Sequence, residues 1–488
     1  MTGRNLKSST ISSLFWKLFE QGGAAVITLV VQVVLARLLT PEEFGELAIM
    51  LVFVNVGNVI VQSGLNTAII QAPRADDRDY STVFWMSLCM SGVLYAAIFA
   101  AAPVVAAFYG MPAVAWPLRA LCLVLVVNAY NSVQEAIVAR NLEFHKTFNS
   151  TLSAMLVSGT AGVVSALLGA GIWALVIQQI VQQGTKCVAL AAQIPWKPRP
   201  VFVRELAVEH LRFGWKLLAS GLLDQGYQSL CDLIVGKVFT KADLGFLSQG
   251  KKYPQALGVV LDGAIQPVML SAVSRVQEDG ARVRALVRRG LKTSTYLVVP
   301  AMTLFAVVAE PVVLVVLGEK WLPAVGFLRV YCFIYALLPI HTTNLQALNG
   351  MGRSDLFLKL EVIKNVVGLV VLGATALLTR DLNAIVAGYA LVGLLCTFIN
   401  AFPNKRVIGY SYGQQVLDIC PAFALSCVAA AVAWPVSALG LAPLVDILVQ
   451  ALVMGVVYVG LSVLLKVEAF SYLWHTLREI RMGRVFSS

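Results

Sequence analysis

Long apolar runs separated by short polar connections recur along the whole 488-residue chain. Ala24–Ala36, Leu47–Ile70 and Val83–Phe108 open the series, and each is long enough, with its flanks, to cross a hydrocarbon layer as a helix of about 20 residues. The connections, such as Leu39–Glu43, Ala72–Tyr80, Pro195–Arg212 and Pro403–Gln415, carry proline, glycine and charge and are too short for a folded domain outside the membrane. The pattern predicts an all-α polytopic membrane protein. Its spans lie near 14–36, 44–70, 81–108, 113–135, 147–169, 171–194, 213–235, 244–272, 291–317, 322–348, 357–379, 382–402, 416–438 and 441–465.

Apolar residues make up 58% of the chain and charged residues 13%, which excludes a soluble globular protein. Charge then sets orientation, because Lys and Arg collect in cytoplasmic loops. With the N-terminus inside, 25 basic residues fall on the cytoplasmic side, and only Arg37, Lys237, Lys241, Lys320 and Arg380 fall outside. Both termini are therefore expected inside. The net charge of +11 becomes an orientation signal, not a nucleic-acid surface. Trp16, Trp85, Trp116, Trp196, Trp215, Trp321 and Trp474 lie near predicted span ends, as interfacial anchors do. Basic segments at Arg282–Lys292 and Tyr472–Arg484 have apolar residues at helical spacing and are expected to lie on the anionic inner leaflet. Met1–Ser13 is polar and the run after it is too long for a cleavable signal, so the first span is expected to stay attached. Eight cysteines without a CxxC pair read as free thiols in the membrane.

The chain also repeats itself. Phe15-Trp16-Lys17-Leu18 with Gly22 returns as Gly214-Trp215-Lys216-Leu217 with Gly221. Arg37-Leu38-Leu39-Thr40 with Phe44-Gly45 returns as Lys237-Val238-Phe239-Thr240 with Leu244-Gly245, and Leu118-Arg119-Ala120-Leu121-Cys122 as Leu328-Arg329-Val330-Tyr331-Cys332. Six spans separate the copies, an even number, so both copies enter the membrane from the same side. This is a parallel repeat. It predicts an N-terminal six-helix lobe over 1–195, a second six-helix lobe over 196–402, and two additional helices with a basic cytoplasmic tail over 403–488. Two such lobes facing a central cleft suit alternating access.

Ala36-Arg37-Leu38-Leu39-Thr40-Pro41-Glu42-Glu43-Phe44-Gly45, followed by Gln62-Ser63-Gly64-Leu65, resembles the Wzx-type flippases. These form the polysaccharide-transport branch of the multidrug/oligosaccharidyl-lipid/polysaccharide exporter superfamily, and the colanic-acid exporter subgroup fits best. The resemblance covers the chain in length, span number and six-plus-six repeat. It implies transfer of undecaprenyl-pyrophosphate-linked oligosaccharide across the bacterial inner membrane for surface polysaccharide assembly, alongside polymerase and export machinery. It leaves the glycan open.

Ionisable residues inside spans cost roughly 2.5–3.5 kcal/mol each at the helix centre, so each needs a polar cavity or a partner. Arg119, Arg329, Lys251, Lys252 and Lys364, with Lys17 and Lys216 nearer the interface, are candidate cations for a pyrophosphate. For the two arginines the other reading is snorkelling or an interhelical salt bridge. Glu20, Asp224, Asp232 and Asp262 either take part in ion coupling, with H+ or Na+ as the ion, or neutralise nearby lysines. The pairing of Asp224 and Asp232 with Lys251 and Lys252 is the simpler account. Asn55, Asn58, Gln62, Gln178, Gln179, Gln182 and Gln183 recur at helical spacing and suit either sugar hydroxyls or helix–helix hydrogen bonds. His341 and Asn344 align with Asn131 and Gln134 through the repeat, and His341 reads as a packing residue. Gly245–Lys251 spells GxxxxGK, but Lys252 stands where a P-loop needs Ser or Thr. No catalytic residue, metal site or cofactor is expected. A cation-coupled multidrug exporter is the nearest alternative, though buried cations favour an anionic cargo. A glycan polymerase or ligase would place its catalysis on a large outer loop, which this chain lacks.

Overall fold

The computed structural model describes residues 27–62, 64–71, 75–379 and 381–481. Lys17, Glu20, the first copy of the Trp16 motif and the side chain of Lys216 lie outside the described residues. Among those described, every regular element is helical. In order they are α1 (Ile27–Leu38), α2 (Pro41–Gln62), α3 (Leu65–Gln71), α4 (Asp77–Phe108), α5 (Ala115–Leu121), α6 (Leu123–Asn141), α7 (Phe144–Leu167), α8 (Ile172–Gln193), α9 (Arg204–Val238) and α10 (Lys241–Ser274). Then follow α11 (Gly280–Val307), α12 (Ala309–Val316), α13 (Ala324–Ala336), α14 (Leu338–Gly350), α15 (Ser354–Leu378), α16 (Leu382–Ala401), α17 (Asn404–Val407), α18 (Tyr412–Ala433), α19 (Pro443–Leu464) and α20 (Glu468–Arg481).

Eleven of the described helices or helix pairs are long and apolar enough to cross a membrane. With α1, α8 and α9 they account for every span expected from the sequence. α8 falls short in hydropathy because of its glutamines and Lys186, and α9 because Asp224, Gln225, Gln228 and Asp232 interrupt its apolar part. The outward surface is that of a protein solvated by lipid: on α19 alone Leu444, Leu448, Leu452, Val456, Val459 and Val463 are exposed. This is a multi-pass membrane protein.

The polar connections work as helix caps. Asp76 Oδ1 accepts from the backbone N–H of Arg78 at 2.8 Å and Asp79 at 3.2 Å, while Asp79 Oδ2 accepts from the Asp76 N–H at 3.0 Å. Those backbone donors hold the Asp76 carboxyl below the usual range. Ser411 and Gln414 make the same reciprocal cap on α18.

The chain forms two compact units, Met1–Gly245 and Phe246–Ser488. In the first, Leu65, Ile69, Val83, Phe84, Val133 and Leu190 close a core with Trp196, whose ring stacks on Tyr130 at 5.9 Å. Trp196 is thus a core residue, not an interfacial anchor. So is Trp321 in the second unit, fully buried and edge-on to Phe246. Trp85, Trp116, Trp215 and Trp474 are exposed, as anchors should be. The first unit also holds two backbone-to-backbone contacts at glycines. A Cβ on Gly45 would stand 1.9 Å from the Lys241 carbonyl oxygen and one on Gly245 2.0 Å from that of Pro41, so the two repeat-related glycines pack reciprocally. Gly64, at φ +87°, meets the Gly214 carbonyl in the same way.

The expectation for Arg282–Lys292 needs correction. This segment is the first part of α11, and Val283, Val287 and Leu291 are fully buried against Met269, Leu337, Ile340, Ala347 and Ile408. Its apolar stripe meets protein instead of lipid, two uses that share one periodicity. Its charges are paired too. Arg288 grips Asp418 through two bonds of 2.8 and 2.9 Å, Tyr410 donates to the same carboxylate at 2.8 Å, and Lys292 bridges Asp418 at 3.0 Å and Glu468 at 2.6 Å.

Lys292 thereby ties α20 down, helped by Arg289 over the Tyr472 ring at 4.3 Å. The hydrogen bond from Lys292 holds the Glu468 carboxyl below its ordinary 4.5. A depressed carboxylate supports the tie fully above its free value, and the support is lost as pH falls through the bound value. A spin label on Ser471→Cys, in a background without other reactive cysteines, should therefore gain mobility below about pH 4, and Glu468→Gln should show that mobility already at pH 7. Equal mobility of the two proteins at pH 7 would refute the tie.

Candidate functional site

Each unit contains a buried polar layer between its helices. In the first, Asn128 Nδ2 donates to Asn58 Oδ1 at 2.8 Å, Ser132 Oγ to Asn66 Oδ1 at 2.6 Å, and Asn131 Nδ2 to the Gln183 carbonyl at 3.2 Å. These bonds join α2 and α3 to α6, and α6 to α8. Lys186 meets Glu135 at 2.6 Å beside them. Gln134 is fully buried beside Tyr130, and among the described residues its amide makes no well-formed hydrogen bond.

In the second unit Thr342 Oγ donates to Asp262 Oδ1, joining α14 to α10. His341 Nδ1 lies 2.9 Å from Asn400 Nδ2, joining α14 to α16. Asn344 Nδ2 donates to Gln415 Oε1 at 2.8 Å, and Asn404 donates to Asn344 Oδ1. Lys364 is within electrostatic reach of His341 and bonds Glu361 at 2.7 Å. The two layers resemble each other: Ser132 and Thr342, equivalent through the repeat, each donate to a polar side chain of a neighbouring helix, Asn66 in one unit and Asp262 in the other. Asn131 and His341 likewise both reach the helix that closes their own half.

The sequence-derived candidates distribute as follows. Arg119 Nε donates to the Phe99 carbonyl at 3.1 Å, with its guanidinium over the Phe99 ring at 4.3 Å and the Trp116 ring at 4.7 Å. Arg329 repeats the arrangement: Nε reaches the Ala306 carbonyl at 3.3 Å, the guanidinium lies over Trp434 at 4.8 Å, and Glu310 is 3.8 Å away. Both are half-buried and lie on aromatic faces. Asp262 and Lys364 belong to the second polar layer. Lys251 and Lys252 are half-buried on α10, and within the second unit neither has a hydrogen-bond or ion-pair partner among the described residues. On α9, Asp224 is exposed and Asp232 half-buried, and neither is without a partner. Glu361 and Glu135, absent from the sequence-derived candidates, balance Lys364 and Lys186. The buried His210 Nε2–Asp79 Oδ1 contact of 3.0 Å joins positions 131 apart and leaves no local signal.

Two repeat-related sets of membrane helices, each enclosing an amide-rich layer, define the class as a polytopic membrane transporter fold. A family model described as polysaccharide biosynthesis protein matches residues 34–326. The chain belongs to this family. It is 24% identical over 338 residues to the succinoglycan biosynthesis transport protein ExoT of Rhizobium meliloti, covering 69% of this chain and 68% of that one. It is likewise 24% identical over 428 residues to the lipopolysaccharide biosynthesis protein WzxC of Escherichia coli, covering 86% of each. Among solved structures, the lipid II flippase MurJ in an inward closed conformation superposes with a TM-score of 0.74 at 12% identity, over 93% of this chain and 99% of that one.

Proposed function

We propose that this chain is a flippase that moves a lipid-linked oligosaccharide across the bacterial inner membrane for surface polysaccharide assembly. In this reading both termini are cytoplasmic, residues 1–195 and 196–402 are the two lobes of an alternating-access cycle, and 403–488 adds two spans and a basic tail. The cargo is an undecaprenyl pyrophosphate glycan handed on to polymerase and export machinery, and H+ or Na+ supplies the coupling. The observation that carries the reading is the pair of repeat-related polar layers in a chain of this family. Amides at the ends of such layers offer both donors and acceptors, which sugar hydroxyls match. Arg119, Arg329, Lys251, Lys252, Lys364, Lys17 and Lys216 supply positive charge for the pyrophosphate, whose desolvation they offset. Glu20, Asp224, Asp232 and Asp262 are the groups available for the coupling ion, Asp262 the best framed of them.

Proteoliposomes with a labelled lipid-linked oligosaccharide test this directly. Arg119→Ala, Arg329→Ala and the double Lys251/Lys252→Ala variant should each slow flipping by about tenfold, the scale of one lost charge-assisted hydrogen bond, with normal protein abundance. Arg→Lys should recover only part, because lysine lacks the planar fork. Normal rates in all three would remove the cationic mechanism, and an inactive wild type would remove the flippase itself. Orientation has its own check. Reporter fusions at Arg282 and Lys320 should report opposite sides of the membrane, and the same side for both would overturn the assignment.

A further inference from the structure

Where α11, α18 and the junction of α19 with α20 meet, the second unit has a groove of about 400 Å³. It is lined by Lys292 and Tyr296 on α11, Leu417 and Ala424 on α18, and Leu465 and Glu468 at the junction. Leu417 is 73% and Leu465 66% exposed, so the groove opens onto the surface that hydrocarbon covers. An empty space between apolar walls forfeits dispersion contacts, and in a bilayer the material at hand to fill it is an acyl chain. The charged end of the groove then selects the headgroup. Arg288, Arg289, Lys292 and Lys466 stand there against Asp418 and Glu468, a surplus of two cations. Both carboxylates are matched, Asp418 by Arg288 and Lys292, and Glu468 by Lys292. Arg289 and Lys466 are exposed and make no ion pair among the described residues. Arg289, one turn before Lys292, is held on the α20 side by the Tyr472 ring. Lys466 stands between the lining residues Leu465 and Val467, at φ +50°. Its N–H reaches the Val463 carbonyl at 3.2 Å and that of Val467 the Ser462 carbonyl at 3.0 Å, the helix end whose left-handed position favours glycine. A lysine there is strained, and it puts a cation at the mouth of an apolar groove.

We infer that this groove binds one anionic glycerophospholipid of the phosphatidylglycerol type, with an acyl chain between Leu417 and Leu465 and its phosphodiester against Lys466 and Arg289. The surplus charge distinguishes this lipid from a zwitterionic one. An ammonium headgroup would meet two unpaired cations, and the exposed carboxylate that could receive it, Glu468, is already bonded to Lys292 at 2.6 Å. The basic residues of Arg282–Lys292 thus serve lipid although their apolar stripe packs on protein. Bound there, the lipid holds α20 against α11 and α18. The inference rests on the flippase reading only for its side of the membrane: with cytoplasmic termini the groove opens to the inner leaflet, where anionic lipid collects.

The test titrates the full-length protein in a neutral detergent with phosphatidylglycerol, phosphatidylethanolamine and phosphatidylcholine of identical acyl chains. Native mass spectrometry should show phosphatidylglycerol bound at least about fivefold tighter than the other two, the worth of one surface cation against an anionic headgroup, and it should raise the unfolding temperature most. Lys466→Gly should melt no lower than wild type without lipid, because glycine suits the left-handed turn, yet lose about fivefold in affinity for phosphatidylglycerol. Adding Arg289→Gln should make the three lipids bind alike. Ala424→Trp, which fills the groove from its exposed side, should weaken all three while the charges remain. Unfolding without lipid identifies a variant that fails to fold, and the others then decide. Equal binding of the three lipids by wild type, or an unchanged preference in both charge variants, overturns the site. So does tighter binding of undecaprenyl phosphate than of phosphatidylglycerol, which would make it a carrier-lipid site, or equal competition by glycerol phosphate, which would leave the groove without a role. Flipping by the same protein in liposomes judges transport separately: lipid selectivity without flipping leaves this site standing, and flipping without selectivity removes this site alone.

Discussion

Replacing Gly45 by valine should leave almost no folded protein in the membrane, and Gly245→Val should do the same. At each position the added Cβ would fall about 2 Å from a backbone carbonyl oxygen, of Lys241 in one case and Pro41 in the other. Backbone cannot swing aside as a flexible side chain can. Overpacking typically costs about 1–3 kcal/mol even where side chains relax, and here two helix starts must separate. The Lys241 Nζ–Glu46 Oε1 pair of 2.6 Å, one residue from the contact, would be pulled apart with them. Against a total stability of about 5–15 kcal/mol for a typical domain, such a loss is severe. Gly263→Ala in α10 is the control, because nothing stands within 4 Å of the position its Cβ would take. Abundance after detergent extraction and the unfolding temperature read the result. A Gly45→Val protein that accumulates and melts like wild type would show that the contact is not needed.

The second large effect separates the two polar layers. Asn344→Leu should destabilise the protein by roughly 2–5 kcal/mol, since it leaves the buried Asn404 Nδ2 and Gln415 Oε1 without the partners they now have, each loss costing about 1–3 kcal/mol. Gln134 is the repeat counterpart of Asn344, equally buried, yet among the described residues its amide makes no well-formed hydrogen bond and has only the Tyr130 hydroxyl within reach. Gln134→Leu should therefore be neutral or stabilising in unfolding measurements. If Gln134 meets the cargo during transport, the same variant should flip more slowly despite its better fold. Unfolding curves and flipping rates on both variants decide this. Equal destabilisation by both would mean that Gln134 has partners in the folded protein, and unchanged flipping by Gln134→Leu would take it out of the cargo path.

Much of the architecture was legible from sequence because the bilayer is a solvent that acts locally. Every residue within a span needs an apolar side chain and a satisfied backbone, whatever its distant neighbours are. The apolar runs thus located each helix, and repeated glycines at 45 and 245 marked positions that the structure shows in backbone contact. The same local rule could not say which apolar stripe faces lipid. Arg282–Lys292 has the periodicity of a surface helix, but its valines and leucine pack on α10, α14 and the turn before α18. Trp196 and Trp321 sit near span ends as anchors would, and only packing against Tyr130 and Phe246 makes them core residues.

The candidate site shows the division most sharply. Composition and spacing picked out Arg119, Arg329, Asp262 and Lys364 because charge in a membrane is costly wherever it occurs. What each charge meets is a matter of which helices touch, and contacts between residues 20 to 130 apart have no signature in the intervening sequence. Thus Arg119 and Arg329 rest on aromatic rings and carbonyl oxygens of other helices, and Asp262 takes its hydrogen bond from Thr342, whereas Glu361, three residues before Lys364 on the same helix, was a partner the sequence did make visible. The sequence by itself determined the solvent, the span positions and the repeat, because hydrophobic free energy is a property of each segment. The tertiary structure decided which polar groups find well-formed partners among the described residues and which, like Gln134, do not, because hydrogen bonds depend on directions and distances that only packed helices define.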